Sequence, residues 1–167
     1  ELHRSLRVSN SVTKQRILVT GGSGFIGTNV VAYYRACGHE VFNLDMSTPR
    51  CPVHLECWKQ VDILDARAVR EAFLEARPQV VVHLAARTDL FGRRVSDYPA
   101  NTAGVENVID SALRVDGLVP AVFASSMLVC RIGYVPRNED DYCPSTAYGE
   151  SKVRGEQVVR RSAGRLS

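Results

Sequence analysis

Six tyrosines and three lysines share 167 residues, so a lysine four positions after a tyrosine should arise by chance only about 0.1 times. It occurs once, in Tyr148-Gly149-Glu150-Ser151-Lys152. On a helix the i and i+4 side chains share a face, which brings the Lys152 ammonium near the Tyr148 hydroxyl. A free phenol titrates near 10, so its use as a base at neutral pH requires about three units of lowering, roughly 4 kcal/mol of differential stabilisation. A fixed neighbouring cation contributes to that lowering. In isolation the pair is equally consistent with a packed tyrosine beside a solvated lysine.

The second pattern is Thr20-Gly21-Gly22-Ser23-Gly24-Phe25-Ile26-Gly27. Glycines admit positive φ, let the backbone approach a pyrophosphate and allow a helix to pack tightly on a sheet, while a helix N-terminus offers free N–H groups to an anion. A flexible connection is the competing reading. Eighteen residues beyond Gly27 stands Asp45, where a carboxylate can accept hydrogen bonds from adenosine ribose hydroxyls, which favours NAD over its 2′-phosphorylated form. Arg50 offsets part of that preference if the intervening loop folds back, and a surface aspartate in a turn is the alternative. Asp62, in Val61-Asp62-Ile63, is read either as an acceptor for the adenine amino group or as a turn-forming residue.

These residues need a scaffold, and the apolar pattern supplies one. After a polar lead over residues 1–15, Ile17-Leu18-Val19 reads as a buried strand. Ile26, Val30 and Tyr33/Tyr34 then recur at helical spacing until Gly38, a suitable C′ residue. Residues 41–44 predict a second strand ending at Asp45, residues 47–56 a loop and residues 58–61 a third strand. Asp65 caps a helix with Val69, Ala72, Phe73 and Ala76 on one face, and Pro78 stops it before a strand over 80–84. A helix over 103–113 turns Val105, Val108, Ile109 and Ala112 inward, followed by a fifth strand over 121–124 and a last helix from 148 to about 162. Short strands alternating with helices predict βαβ units, a parallel sheet and right-handed crossovers.

At about 150 residues per domain the length makes one domain, which should bury about 70% of its surface on folding. A composition of 45% hydrophobic and 23% charged residues excludes disorder, collagen-like repeats and disulfide miniproteins. The net charge is only +3, without a run of like charge, so nucleic-acid and membrane-surface binding have no compositional support and a small ligand is expected. Five cysteines without a CxxC pair, and four histidines without an HExxH arrangement, predict reduced, mostly structural thiols and no metal site. No apolar run approaches the roughly 18 residues that span a bilayer. Arg4, Arg7, Lys14 and Arg16 have no apolar segment behind them, so a cytoplasmic setting is expected. The chain starts at Glu1 rather than Met and is expected to be partial.

TGGSGFIG (20–27), Asp45, Asp62-Ile63, HLAA (83–86), NTAG (101–104), Ala124-Ser125-Ser126 and YGESK (148–152) together resemble the extended short-chain dehydrogenase/reductases. Specifically, they resemble, in order across residues 16 to about 163, the NAD-dependent epimerase/dehydratase family that modifies nucleotide sugars. Residues 136–144 also resemble that family's substrate-facing loop. The resemblance implies an α/β fold, a doubly wound, Rossmann-like parallel sheet with strand order 3-2-1-4-5, and NAD as cofactor. It implies Tyr148 as catalytic base, Lys152 as its pKa-lowering and ribose-binding partner, and Ser126 as the hydroxyl holding the sugar oxygen, with Ser125 as the fallback. The implied cofactor-binding residues are Gly21, Gly24, Phe25, Ile26, Gly27, Asp45, Asp62, Ile63, Leu84, Ala85, Ala86, Thr88 and Asn101, together with Tyr148 and Lys152. His83 is read as structural, and Met127 as packing.

Two departures narrow what the resemblance implies. Sugar-nucleotide dehydratases resemble one another in having Asp-Glu after the catalytic hydroxyl, where this chain has Met127-Leu128. A 4,6-dehydratase needs a general acid to expel the C6 hydroxyl, so an epimerase or a simple dehydrogenase/reductase is preferred. The frequent Val-Tyr-Gly is here Val129-Cys130-Arg131, which leaves Cys130 either lining the site or as a buried thiol. A sixth strand and a small substrate-gripping domain are expected to lie outside this sequence, so the segment alone should be inactive. The resemblance also implies a homodimer through the helices at 103–113 and 148–162, with Val153, Val158 and Val159 as apolar positions. Two other readings stay open: an NADP-dependent steroid- or flavonoid-type reductase of the same superfamily, and a non-catalytic dinucleotide-binding module that senses redox state.

Overall fold

The computed structural model describes residues 13–115 and 120–165, so the polar lead expected over 1–15 lies almost wholly outside the described residues. Five strands form one parallel sheet: β1 (Arg16–Thr20), β2 (Glu40–Asp45), β3 (Trp58–Gln60), β4 (Val80–His83) and β5 (Ala121–Phe123). Their order is β3-β2-β1-β4-β5, the doubly wound arrangement expected from the sequence. The helices are α1 (Phe25–Ala36), α2 (Ala66–Ala76), α3 (Ala103–Ala112) and α4 (Ala147–Ser162). Among the described residues no helix is long and apolar enough to cross a membrane.

The central strand explains the layering. β1 is flanked on both sides, Ile17 pairing with Val41 and Val80, and Val19 with Asn43 and Val82. Ile17 and Val19 turn to one face, where they pack with Val31 of α1, Val41 and Val82. Leu18 turns to the other, joining Leu44 and Val81 with Phe73 of α2, Val108 and Ile109 of α3, and Val158 of α4. A strand buried on both faces needs an uninterrupted apolar run, which is what residues 17–19 provide.

Local chemistry sets the element ends. Gly38, just past α1, takes φ +82°, the left-handed C′ conformation that glycine adopts without a Cβ penalty. The Asp65 carboxylate accepts from Arg67 N and Ala68 N, each at 3.0 Å, and so caps α2. α2 closes at Arg77, whose φ of +42° turns the chain before Pro78. One expectation is corrected: within residues 47–56, read as loop, a 3-10 turn begins and runs over Pro52–Cys57, since proline at a first helical position has its φ preset and sacrifices no intrahelical N–H. A second correction concerns the valines assigned to a dimer face. Val153 and Val158 are 7% and 9% exposed within the single chain, and Val159 packs partly against the same core. Covering them against the chain's own core removes them from water without a second copy.

Two substitutions separate core from cap. Phe73→Ala should cost about 3–5 kcal/mol, because its fully buried ring leaves a cavity. Asp65→Ala should cost about 1 kcal/mol, the value of an N-cap. Urea unfolding of the two variants should give that ordering of midpoints.

Candidate active site

The glycine turn connects β1 to α1 at the C-terminal ends of the strands. Gly21 adopts φ +74°, and a Cβ there would stand 2.6 Å from the backbone nitrogen of Ala85, so this turn and the segment after β4 are in direct backbone contact. A Cβ on Gly27 would overlap the Gly21 carbonyl oxygen. Gly21 N–H donates to Leu44 O at 2.8 Å, and Gly24 N–H to Gly21 O at 3.1 Å, which folds the turn upon itself. Gly24 heads α1 without a side-chain cap, and no acidic residue occupies the first turn. The leading N–H groups of a helix lack intrahelical acceptors, and here they stand beside the exposed Phe25 and Ile26. The cradle therefore fits the pyrophosphate of a dinucleotide.

Asp45 closes the turn from β2. Its Oδ2 accepts from Ser23 N at 3.0 Å and its Oδ1 from Ser47 N at 2.8 Å. A carboxylate has about four acceptor positions, so about half remain open. Asp62 accepts from Leu64 N at 2.9 Å, the turn-forming arrangement that the sequence left as its alternative. Ile63 is buried in the core, where its side chain lies against the backbone of Gly104. Leu84, Ala85 and Ala86 follow β4 in half-buried positions, and Thr88 is exposed.

Tyr148 and Lys152 stand one turn apart on α4 and are 9% and 8% exposed. The Tyr148 ring meets the buried Tyr98 ring edge-on at 5.8 Å. Lys152 Nζ donates to Ala124 O at 2.7 Å, at the end of β5. Burial pulls the Lys152 pKa below its ordinary value, and the Glu156 carboxylate acts in the opposite direction. Ser126 heads a 3-10 turn over Met127–Val129, its Oγ accepting from Leu128 N at 3.1 Å. Thr146 caps α4 in the same way, accepting from Gly149 N at 2.9 Å. Because Gly149 lacks a side chain, the first turn of α4 lies directly on the Leu128 carbonyl oxygen, which sets the turn of Ser126 against the helix of Tyr148.

A cleft of about 660 Å³ opens beside these residues, lined among others by His83, Ser125, Lys152, Glu156 and Arg160. Tyr148 and Ser126 do not line it, so the structure places Lys152 and Ser125 in the cleft and the other two outside its walls. Two residues that the sequence reading passed over organise it. Glu156 accepts hydrogen bonds from the Ser125 hydroxyl and, at 2.7 Å, from the Tyr142 hydroxyl. Its place four residues after Lys152, the spacing that marked the Tyr148–Lys152 pair, was the available signal. Tyr142 lies in the irregular segment that resembled a substrate-facing loop, where no periodicity marks a side chain. Among the described residues no group of three or more histidine, cysteine or acidic side chains stands together to hold a metal ion.

His83 is 3% exposed and its Nδ1 lies 2.7 Å from Thr20 Oγ1. That hydroxyl accepts from Ala85 N at 3.4 Å, so its hydrogen is free to be donated to Nδ1. Desolvation, reinforced by the Lys152 charge, lowers the His83 pKa to about 3. A neutral, hydrogen-bonded histidine in a buried strand is a structural group.

Likenesses to known proteins bear on this arrangement. The NAD dependent epimerase/dehydratase family matches residues 17–165. A UDP-glucose 4-epimerase of Haemophilus influenzae is 32% identical over 163 residues, covering 88% of this chain and 48% of that protein. A 3-beta-hydroxysteroid dehydrogenase of Mycolicibacterium neoaurum is 32% identical over 157 residues, covering 86% and 42%. The crystal structure of Thermus thermophilus UDP-glucose 4-epimerase in complex with NAD superposes with a TM-score of 0.74 at 28% identity, over 90% of this chain and 51% of that one. The chain thus spans about half the length of the curated relatives it matches.

The buried histidine makes stability pH-dependent. Its folded pKa of about 3 lies below the unfolded value of about 6.5, so the unfolded state binds the extra proton between them. Stability should therefore fall as pH drops below about 6.5, with a slope approaching 1.4 kcal/mol per unit from this group. In His83→Asn, which keeps a polar atom near Nδ1, the loss of stability between pH 7 and pH 5 should be smaller by about 2 kcal/mol when the two proteins are unfolded in urea at each pH.

Proposed function

Because the chain belongs to the NAD dependent epimerase/dehydratase family, we propose that it is the cofactor-binding, acid–base portion of an NAD-dependent oxidoreductase or epimerase that transfers hydride at a carbon of a nucleotide sugar. The observation that carries this reading is the burial of Tyr148 and Lys152 one turn apart on α4, with that helix seated on the turn headed by Ser126. The glycine turn and the open N-terminus of α1 hold the pyrophosphate, and the free acceptor positions of Asp45 hold the adenosine ribose. NAD, when bound, supplies a hydride acceptor that can also return the hydride.

Tyr148 removes the proton from the sugar hydroxyl at C4 while Ser126 holds the oxygen. The Lys152 ammonium, one helical turn away, stabilises the phenolate that forms, and its low exposure strengthens that effect. Proton return to the oxygen runs through the same phenol. Met127 and Leu128 follow Ser126 and neither is an acid, so loss of a C6 hydroxyl finds no proton donor there, and epimerisation or simple oxidoreduction is the reading we favour over 4,6-dehydration. Gripping of the sugar falls to residues beyond this segment, so the segment alone binds cofactor weakly and turns nothing over. A homodimer through α3 and α4 belongs to the same proposal, using contacts other than Val153 and Val158. Light scattering at high micromolar concentration checks it, and a strictly monomeric species counts against it.

The 3-beta-hydroxysteroid dehydrogenase relative, as similar in identity as the epimerase, supports a second reading in which a steroid hydroxyl replaces the sugar hydroxyl. The proton chemistry is the same, so substrate panels discriminate between the two: oxidation of a steroid 3β-hydroxyl, with no response to UDP- or dTDP-sugars, would favour the second.

Cofactor choice is testable on this chain. NAD should bind more tightly than NADP by calorimetry, since Asp45 would face a phosphate dianion in the alternative, and Asp45→Ala should narrow the gap. Equal or tighter binding of NADP would overturn the assignment of Asp45.

Catalysis is testable at the full length of the relatives. Tyr148→Phe should lower turnover at least 10²-fold, the usual contribution of general acid–base catalysis, with little change in cofactor affinity. Lys152→Met should damage both. Near-normal turnover of Tyr148→Phe would remove Tyr148 as the base.

A further inference from the structure

The loop over residues 131–142 is flanked by two cysteines that pair in register. Cys130 and Cys143 are the two partners of an isolated parallel bridge. Arg131 N–H donates to Cys143 O at 2.6 Å, and Cys143 N–H donates to Val129 O at 3.1 Å, so the register is pinned on both sides of the pair. Bridged backbones run about 4.8 Å apart, and the two side chains of a parallel register pair lie on the same face. That separation lies inside the roughly 4.4–6.8 Å between Cα atoms that a disulfide spans. Cys130 Sγ donates to the carbonyl oxygen of Asp141 at 3.6 Å, so its side chain reaches the segment two residues before Cys143. Both residues are free thiols and half-buried, so a small reagent can reach them.

The loop between them is internally ordered and reaches the cleft. Asp141 Oδ1 accepts from the Tyr134 hydroxyl at 2.7 Å, and its Oδ2 accepts from Arg137 N at 2.9 Å. These donors hold the Asp141 pKa down at about 2. Glu139 and Asp140 line the cleft and pair with Arg160, while Tyr142 donates to Glu156. Among the described residues, no such bridge joins Cys37, Cys51 or Cys57 to another cysteine. Cys37 is exposed at the end of α1, and the Cys57 thiol donates to His54 O at 3.2 Å while burial pushes its pKa up.

We propose that Cys130 and Cys143 form a reversible intrachain disulfide, with a low-molecular-weight disulfide as oxidant, and that the bond fastens the loop of residues 131–142 against the cleft. One cysteine thiolate attacks the small disulfide, forming a mixed disulfide and releasing one small thiolate. The second cysteine thiolate then attacks the protein sulfur of that mixed disulfide, forms the Cys130–Cys143 bond and releases the other small thiolate. The two protein protons pass to the two released thiols, so the small disulfide is reduced by two electrons and the protein oxidised by two.

The test uses the whole chain with oxidised glutathione, followed by alkylation of free thiols and tryptic mass spectrometry. Cleavage after Arg131 and Arg137 puts the two cysteines in separate peptides, so the bond appears as a linked pair about 2 Da lighter than the sum of the two thiol peptides. The linked pair should separate on addition of dithiothreitol. Oxidation should also raise the melting temperature by several degrees, because closing a loop constrains the unfolded chain, and Cys143→Ser should show no such rise. Full alkylation of both cysteines after treatment, stable glutathione adducts at either without a link, or a link that joins a different cysteine instead would each overturn the proposal.

Discussion

The buried amide of Asn101 is the joint on which the geometry of the site depends. It is 1% exposed, and its Oδ1 accepts from Arg87 N at 2.9 Å while its Nδ2 donates to Arg87 O at 3.0 Å and to Ser151 Oγ at 2.9 Å. Ser151 passes the connection on, donating to Tyr148 O at 2.6 Å. One side chain thereby ties the segment after β4, the approach to α3 and the first turn of α4 into a single polar network. The backbone of Asn101 takes part too, because its carbonyl oxygen lies against Gly155 of α4, where a Cβ would come within 2.7 Å. A buried polar group left without its partner costs about 1–3 kcal/mol, so slippage of α4 against this joint would strand several groups at once. That penalty holds Tyr148 and Lys152 in place.

Charge is managed around the same joint. Lys152 and His83 both face the cleft below β5, and two neighbouring cations in a low-dielectric site would repel. The structure avoids this by keeping His83 neutral, through desolvation and the Lys152 charge itself, and by setting Glu156 one turn beyond Lys152. Glu156 is itself satisfied by the Ser125 and Tyr142 hydroxyls. The buried Lys152 ammonium is thus left free of a competing imidazolium.

Much of the fold could be read along the chain because the information is local. Three apolar residues at 17–19 mark a strand covered on both faces, Asp65 marks a helix start and Gly38 a helix end, and each element lies within a few residues of its expected bounds. The Pro52–Cys57 turn was missed, since a single 3-10 turn leaves no apolar period to detect. The dimer valines were assigned outward for a related reason: an apolar residue on a helix announces that it will be buried, but not against what.

The amino-acid sequence by itself determined the alternation of strands and helices, the glycine turn with Asp45 behind it, and the Tyr148–Lys152 pair, because each rests on spacings of a few residues that backbone geometry converts directly into position. Only the tertiary structure decided that Asp62 closes a turn, that Ile63 packs against Gly104, that His83 stays neutral, and that Asn101 joins three segments. It alone brought Glu156 to Ser125 and Tyr142, and Cys130 to Cys143. Apart from the local turn at Asp62, these depend on contacts between residues 13 to 63 positions apart in the chain, whose meeting is set by how the sheet and its helices pack and leaves no period or motif in the local sequence.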